Sequence, residues 1–581
     1  MKVSDFIIDY LAKYGVRHIF GYAGGAVTHL LDSIYQSRDM KFISVYHEQA
    51  AAFAAEGYAR IKNDIGVALA TSGPGATNLI TGIGSAFFDS VPCLYITGQV
   101  NTYEYKGDSS VRQMGFQETD IVSIVAPITK YAARVNEAKS IQYELQKAIA
   151  IANSSRKGPV LLDIPMDIQR ADIDPGSLSA YEEEKSELVQ EEHGDGEWLN
   201  EVITTLNHSR RPVILAGGGV RTAGAAELLG EFAQKTNIPV VCSLMGLDVG
   251  YDDNFYGLIG AYGNRCANYA LANSDLILAL GSRLDTRQTG TNLSTFAREA
   301  KLIRIDIDEH ELQRRIKNDE LSFKMDIADF LSSVNKETDR ISPPDLSSWH
   351  SILKGYQKKY PSYTKDDRTD PNNIMKKISE ATKEGDIICL DVGQNQMWAA
   401  QSLELKEGQR LLLSGGMGAM GFSLPVAIGA YYASPDRNII AIAGDGGFQM
   451  NIQELQLIKR NQLPIKIIIM NNNCLGMIRH FQEMYFEGRY GGTIIGYEAP
   501  DFGAVARGYG IESMEIEKNG DLRKIEKALN SDQPLLLCIH LPQTTFVYPK
   551  LEVGKPIEDQ EPLLAREEFY SNMLIAPLEE K

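Results

Sequence analysis

Short apolar runs alternate with amphipathic stretches along most of the chain. GVALATS (66–72), CLYITGQ (93–99) and PVLLDIP (159–165) are near-continuous apolar runs of strand length. Such runs read as strands buried on both faces. EQAAAFAAEGYAR (48–60) has helical character instead, with alanine along one side. The alternation predicts α/β architecture, with parallel sheets flanked by helices. Two stretches interrupt it. Residues 174–197 (DPGSLSAYEEEKSELVQEEHGDGE) are acidic, apolar-poor and turn-rich, which predicts a linker. Residues 342–371 predict a second linker that carries a helix. The chain then divides into 1–172, 198–335 and 372–545, each of domain size, with a charged tail over 546–581. The first and third segments share a coarse β-α plan.

Composition narrows the function classes. The formal charge is −18, which argues against wrapping a nucleic acid but leaves room for a diphosphate on a local nest of backbone N–H groups. No window approaches the ~18 consecutive apolar residues of a membrane helix. The opening MKVSDFIIDYLAKYG lacks the pattern of a signal peptide. The six cysteines are scattered without a CxxC pair, so neither a zinc site nor a disulfide framework is expected. A reduced, cytoplasmic enzyme is the expectation.

The chemistry concentrates in the third segment. NIIAIAG (438–444) and PIKIIIMN (464–471) read as strands, and FQMNIQELQLIKR (448–460) between them as a helix. Ligands of parallel sheets sit beyond the carboxyl ends of the strands. Asp445 follows one strand and Asn472 the next, so both are expected to meet there. Asp445 offers an anionic oxygen; the Asn472 amide and a following main-chain carbonyl offer neutral ones. That is a magnesium-like donor set, completed by phosphate oxygens and water. Gly446 and Gly447 would let the backbone close on a phosphate at the helix start.

The run GDG-x24-NN, extended through GDGGFQMNIQELQLIKRNQLPIKIIIMNN and the LGM at 475–477, resembles the thiamine-diphosphate signature of the acetolactate synthase (acetohydroxyacid synthase) family. The resemblance covers nearly the whole chain. It implies pyrimidine-binding, central Rossmann-like and diphosphate-binding domains. By resemblance, Asp445, Asn472 and the Cys474 carbonyl hold magnesium and the diphosphate, and Leu475, Gly476 and Met477 complete that loop. Val392, Gly393, Gln394 and Asn395 in DVGQNQMWAAQ match the loop that receives the diphosphate, although the family often has His where Asn395 stands. Gly418 and Met420 lie in SGGMGAMGFSLPVAIGA, and Met420 matches the bulky residue that bends the cofactor and brings its reacting atoms together.

The resemblance also assigns residues in the first two segments. Glu48 would share a proton with the pyrimidine ring, work for which a raised carboxylate pKa is suited; the alanines after it were the expected source of desolvation. ATSGPGATNLITGIGSAFFDSVP implies close packing against a partner subunit. Gly25 in FGYAGGAV, Gln117 in GFQETDIV and Lys130 in TKYAARV match positions near the substrate, while a surface position is an equal reading of Lys130. In the middle segment Gly217, Gly218, Met245, Arg283, Asp285, Arg287, Asp306 and Asp326 match a flavin-binding version of the domain, with Tyr262 where His is common. FAD would there be structural, since carboligation needs no net redox step.

The implied reaction is decarboxylation of pyruvate and transfer of the remaining two carbons to an acceptor carbonyl, the thiazolium acting as electron sink. Glu48 and Asp445 would come from different subunits, which implies a homodimer or homotetramer. Phe481 stands where the biosynthetic enzymes carry Trp, which leaves a larger cavity without the indole N–H. The acidic tail is also longer than usual. Both features resemble thiamine enzymes that acylate nucleotide-linked keto-sugars, which keeps such an acceptor beside a 2-keto acid. A pyruvate oxidase and a simple decarboxylase are further readings, although no His-His pair follows Glu48.

Overall fold

The computed structural model describes residues 1–182, 196–250, 253–364 and 367–578. Most of the expected first linker, 183–195, lies outside the described residues, as do 365–366 of the second. Among the described residues, eighteen strands form three six-stranded sheets. The first holds β1 (His18–Gly21), β2 (Lys41–Ser44), β3 (Gly66–Ala70), β4 (Cys93–Gln99), β5 (Tyr131–Arg134) and β6 (Val160–Pro165), in the order β2-β1-β3-β4-β6-β5. The second holds β7 (Pro212–Ala216), β8 (Val240–Cys242), β9 (Phe255–Leu258), β10 (Leu276–Leu280), β11 (Lys301–Asp306) and β12 (Leu321–Lys324), in the order β12-β11-β10-β7-β8-β9. The third holds β13 (Ile387–Leu390), β14 (Arg410–Leu412), β15 (Ile439–Gly444), β16 (Lys466–Asn471), β17 (Glu512–Ile516) and β18 (Leu535–His540), in the order β14-β13-β15-β16-β18-β17.

All three sheets pair in parallel, and helices cover them, as the apolar runs predict. β3, β4, β7 and β10 are buried along their whole length. The first and third sheets have the same internal order, so the shared plan is a shared topology. The middle sheet has the doubly wound order of dinucleotide-binding folds. Each sheet therefore has a switch point, between β1 and β3, β7 and β10, or β13 and β15, where the loops beyond the strand ends diverge and leave a crevice.

The first and third domains touch through backbone. Helix Glu48–Lys62 lies against helix Ser423–Ala433, with Ala50 to Ala55 fully buried. A Cβ on Gly429 would stand 1.9 Å from the Ala54 carbonyl oxygen, and one on Gly57 would stand 2.4 Å from that of Val426. The alanine-rich face thus permits close helix approach. Gly82 likewise meets Ala52 within the same chain, where an added Cβ would stand 2.2 Å from the alanine methyl, so this part of the ATSGPG segment packs intramolecularly.

Buried charge joins the other faces. Arg60 pairs with Glu56 and Asp89, and Asp89 accepts from the backbone N–H groups of Gly415 and Gly416 at 3.0 and 2.7 Å. Asp248 of the middle domain accepts from Arg410 Nε at 2.8 Å. The expected second linker does carry a helix, Ser347–Lys359, whose Trp349, Leu353 and Tyr356 belong to the middle domain's core. The acidic tail returns to the same domain. Leu551 N–H donates to Ala261 (2.7 Å), Asn268 to the Ile557 carbonyl (2.8 Å) and Tyr356 to the Asn572 carbonyl (2.6 Å).

The helix contact sets a stability test. Gly429→Ala forces two backbones apart, and overpacking of this kind costs about 1–3 kcal/mol, so the apparent melting temperature falls. Gly355→Ala, in a helix interior with open space around it, leaves the midpoint unchanged or raises it slightly. Differential scanning calorimetry of both variants reads the contrast.

Candidate active site

β15 and β16 are neighbours, with Gly444 opposite Met470. The residues that follow them, Asp445 and Asn472, are therefore delivered side by side. The Asn472 amide turns one heavy atom toward Asp445 Oδ1 (3.3 Å) and the Cys474 carbonyl oxygen (3.0 Å). With its NH2 inward the amide donates to both; with its oxygen inward three acceptors face one another, the orientation that a bound cation favours. The Asn472 Nδ2 is meanwhile engaged by Gln394 Oε1 at 2.8 Å and Thr545 Oγ1 at 3.1 Å. Ligands at adjacent corners of a magnesium octahedron are separated by about 3 Å. The three oxygens fit one face of such an octahedron.

The surroundings hold this set. Tyr497 Oη donates to Asp445 Oδ2 at 2.9 Å, which leaves Oδ1 turned toward the other oxygens. Burial pushes the Asp445 carboxyl up to about 6, the state of an anion without its counter-charge. Gly476 has no side chain because one would stand 1.9 Å from Gln394 Oε1. Leu475 and the Met420 methyl both border Gly446. A Cβ on Gly447 would meet Asp391 Oδ1 at 2.2 Å, so the glycine is also required for close packing of the two loops.

Asp391 organises the neighbouring loops. It is buried at the end of β13 and accepts from Gly421 N (2.9 Å), Ser423 N (2.9 Å) and Ser423 Oγ (3.0 Å). One carboxylate thus ties the 391–395 loop to the 414–423 loop, which includes Gly418 and Met420. Val392, Gly393 and Gln394 begin the first loop at the switch point, and Gln394 also donates to the Thr545 carbonyl at 3.1 Å. Asn395 departs from its expected role: it is buried, and its amide donates to the Ile442 carbonyl at 3.3 Å while its oxygen accepts from Gln396 N–H. Its polar atoms tie the loop to β15. Met477 lies one residue into helix Gly476–Tyr485, whose Phe481 remains 45% exposed and touches Tyr485.

In the first domain Glu48 is buried and accepts from Asn78 Nδ2 at 2.9 Å. Gly75 stands against its other oxygen. None of these contacts reaches the 391–395 or 445–477 loops. Gly25 opens a short 3-10 turn with free space beside it. Gln117 has φ +63°, which costs a non-glycine residue about 1 kcal/mol. Its side-chain stem lies against Gly73, and Glu118 holds the loop by accepting from three backbone N–H groups. Lys130 has its ammonium engaged within its own domain. It donates to the Ile151 and Ser154 carbonyls at the end of helix Ile141–Asn153, and burial lowers its pKa to about 8.

Profiles of the thiamine pyrophosphate enzyme match all three domains: the N-terminal TPP binding domain over 1–124, the central domain over 199–334 and the C-terminal TPP binding domain over 391–539. The acetolactate synthase large subunit of Lactococcus lactis is 37% identical over 560 residues, covering 95% of this chain and 94% of that one. The chain belongs to the acetolactate synthase family of thiamine pyrophosphate enzymes. A probable large subunit from Methanocaldococcus jannaschii is 38% identical over 93% of this chain and 92% of its own. The chloroplastic enzyme of Arabidopsis thaliana is 36% identical over 96% and 84%. Thiamine dependence and a transferase type of activity follow from that membership.

The middle domain of this acetolactate synthase relative borders a cavity of about 410 Å3. Gly218, Met245, Arg283, Asp285, Arg287, Asp306 and Asp326 all line it, together with Tyr262. Gly217 lies beneath, where an added Cβ would stand 2.1 Å from the Gly281 carbonyl oxygen at the switch point. Asp285 and Asp326 also cap helices Thr286–Thr289 and Ile327–Lys336. Other domains contribute walls that no local motif marks: Arg60, Asp89 and Arg156 from the first, Arg410 and Met397 from the third. Tyr497, Thr545 and Asp391 were likewise not singled out. Only Asp391 carries a signal, since it follows a strand as Asp445 does.

Cation binding at Asp445 requires the ionised carboxylate. In the absence of cofactor, Mn2+ affinity therefore rises about tenfold per pH unit below pH 6 and levels off above it. Asp445→Asn removes that dependence and weakens binding. Isothermal titration calorimetry across pH 5–8 checks both.

Proposed function

We propose that this protein decarboxylates pyruvate and transfers the two-carbon unit to the carbonyl of a second 2-keto acid, as acetolactate synthases do. The observation that carries the reading is the convergence of Asp445 Oδ1, the Asn472 amide and the Cys474 carbonyl at a strand-end switch point. Asp445 Oδ1, Asn472 Oδ1 and the Cys474 carbonyl would hold magnesium, and through it the diphosphate. Bound thiamine diphosphate supplies the electron sink that makes loss of carbon dioxide from a 2-keto acid feasible.

The chain's own residues do the rest. Glu48 would hold and move a proton at the pyrimidine ring, and the Asn78 hydrogen bond fixes the carboxylate for that work. Met420 would brace the cofactor beside Gly446. Phe481, at the solvent edge, would border the acceptor. The identity to acetolactate synthases favours a 2-keto acid over a nucleotide-linked keto-sugar, and the long tail has a structural use on the middle domain. FAD in the 410 Å3 cavity belongs to the same proposal: the doubly wound order, the glycine switch point and an end-of-strand Asp306 support it.

A partner subunit completes the proposal. Among the described residues Glu48 has its side-chain hydrogen bond with Asn78 and none with the metal loop of its own chain, and Tyr103, Met114, Phe116 and Ile478 leave large apolar surface exposed. Such surface supports an oligomer, here a homodimer or homotetramer that brings Glu48 of one chain to Asp445 of another. Among the described residues no helix is long and apolar enough to cross a membrane, and the six cysteines are free and buried, which supports a reducing compartment such as the cytoplasm.

The test is direct. Protein supplied with thiamine diphosphate, magnesium and pyruvate yields acetolactate and carbon dioxide by mass spectrometry. Glu48→Gln lowers carbon dioxide release by at least about a hundredfold. Full activity in that variant contradicts the reading.

A further inference from the structure

Lys550 comes from the tail, yet it sits on the helix that leaves the metal loop. Its Nζ lies 5.8 Å from the Phe481 ring centroid, within cation–π reach, and 2.9 Å from the sulfur of Met484. Only 6% of the residue is exposed. Among the described residues, no carboxylate lies within ion-pair distance of this ammonium. Glu552, the acidic group that acts on it, does so from further away, and burial lowers the Lys550 pKa. A thioether is a weak acceptor. A buried cation held only by a thioether and a ring face is unfavourable unless an anion joins it.

The neighbours repeat the pattern. Arg479 is 2% exposed with an unpaired Nε, and His480 is 1% exposed with both ring nitrogens unpaired. Phe546 stands against both, 4.4 Å from the Arg479 guanidinium carbon and 4.6 Å from the His480 ring centre. The Arg479 guanidinium donates to the Thr545 carbonyl, so basic groups and unpaired buried nitrogens concentrate around Phe546, close enough to Lys550 for its charge to act on His480. The tail is anchored where it delivers Lys550. Lys550 N–H and Glu561 N–H exchange hydrogen bonds with each other's carbonyls at 2.9 and 2.7 Å, and Leu551 N–H bonds to Ala261. The helix begins at Gly476, against the Gln394–Asn472 pair. Phe481 is five residues further on, about 7.5 Å along the axis, a separation suited to a small molecule reacting beside the metal loop.

We propose that the Lys550 ammonium, beside Phe481, binds the carboxylate of the acceptor 2-keto acid. The inference rests on the proposed carboligation, and it assigns acceptor recognition to the tail. An acceptor without a carboxylate gains nothing from Lys550, which separates its role from the chemistry shared by all acceptors.

The experiment offers the holoenzyme pyruvate together with 13C-labelled acetaldehyde, a neutral acceptor, and reads the ratio of acetolactate to labelled acetoin by mass spectrometry. Lys550→Met and Lys550→Gln lower this ratio at least about tenfold, as expected when a charge-assisted hydrogen bond is lost. Lys550→Arg recovers most of it. An unchanged ratio in both neutral variants overturns the Lys550 assignment and leaves the carboligase reading intact. Wild-type protein that forms labelled acetoin but no acetolactate overturns the keto-acid reading and this inference together. A folding defect that lowers both products equally leaves the ratio unchanged and counts against the proposal unless Lys550→Gln, melting at the wild-type temperature, lowers the ratio.

Discussion

Two oxygens and one amide are held together by the fold. Asp445 Oδ1, the Asn472 side chain and the Cys474 carbonyl converge within 3.3 Å of the amide atom between them, and the amide can present either its NH2 or its oxygen to the group. The structure over-determines it from every side. Parallel pairing of β15 and β16 sets the strand ends side by side, Tyr497 takes one oxygen of Asp445, and Gln394 and Thr545 take the amide nitrogen of Asn472. The absence of a side chain at Gly476 makes room for that amide pair. The groups proposed to hold a metal diphosphate are thus preorganised by their neighbours.

The rest of the molecule extends the same rigidity. Backbone-close helices lock the first domain to the third, and the Arg60, Asp89 and Asp248 clusters fix the loops that border the middle cavity. Buried ion pairs of this kind contribute little net stability, and their value here is register. The tail completes the arrangement by crossing from the third domain to the middle one, placing Lys550 over the helix that begins at the metal loop. The three crevices then lie on one interlocked body, with Tyr103, Met114 and Phe116 exposed on its surface.

How much of this was legible in the sequence depended on distance along the chain. Asp445 and Asn472 were readable because they end neighbouring strands joined by one helix, so periodicity alone brought them together. The parallel α/β class and the repeated plan of the first and third domains followed from apolar runs. Tyr497 and Thr545 carry no pattern, because they reach the site from loops whose course only packing decides. Asn395 and Lys130 were matched to site positions by type, yet each has its polar groups engaged by backbone carbonyls or N–H groups of its own domain. The alanines after Glu48 carry a second role that the sequence does not show: a small-residue face also serves a helix contact, which the position of Gly429 reveals. Residues lining the middle cavity were legible within their own domain and illegible where another domain supplies the wall.

The central claim concerns the place of one cation. Anomalous diffraction from crystals grown with Mn2+ and thiamine diphosphate locates it directly. The account predicts a single strong peak about 2.1–2.2 Å from Asp445 Oδ1, Asn472 Oδ1 and the Cys474 carbonyl oxygen, with Tyr497 still bonded to Asp445 Oδ2. A strong peak only elsewhere, as at the Glu515, Glu517 and His540 side chains that lie together on the third domain, would contradict it.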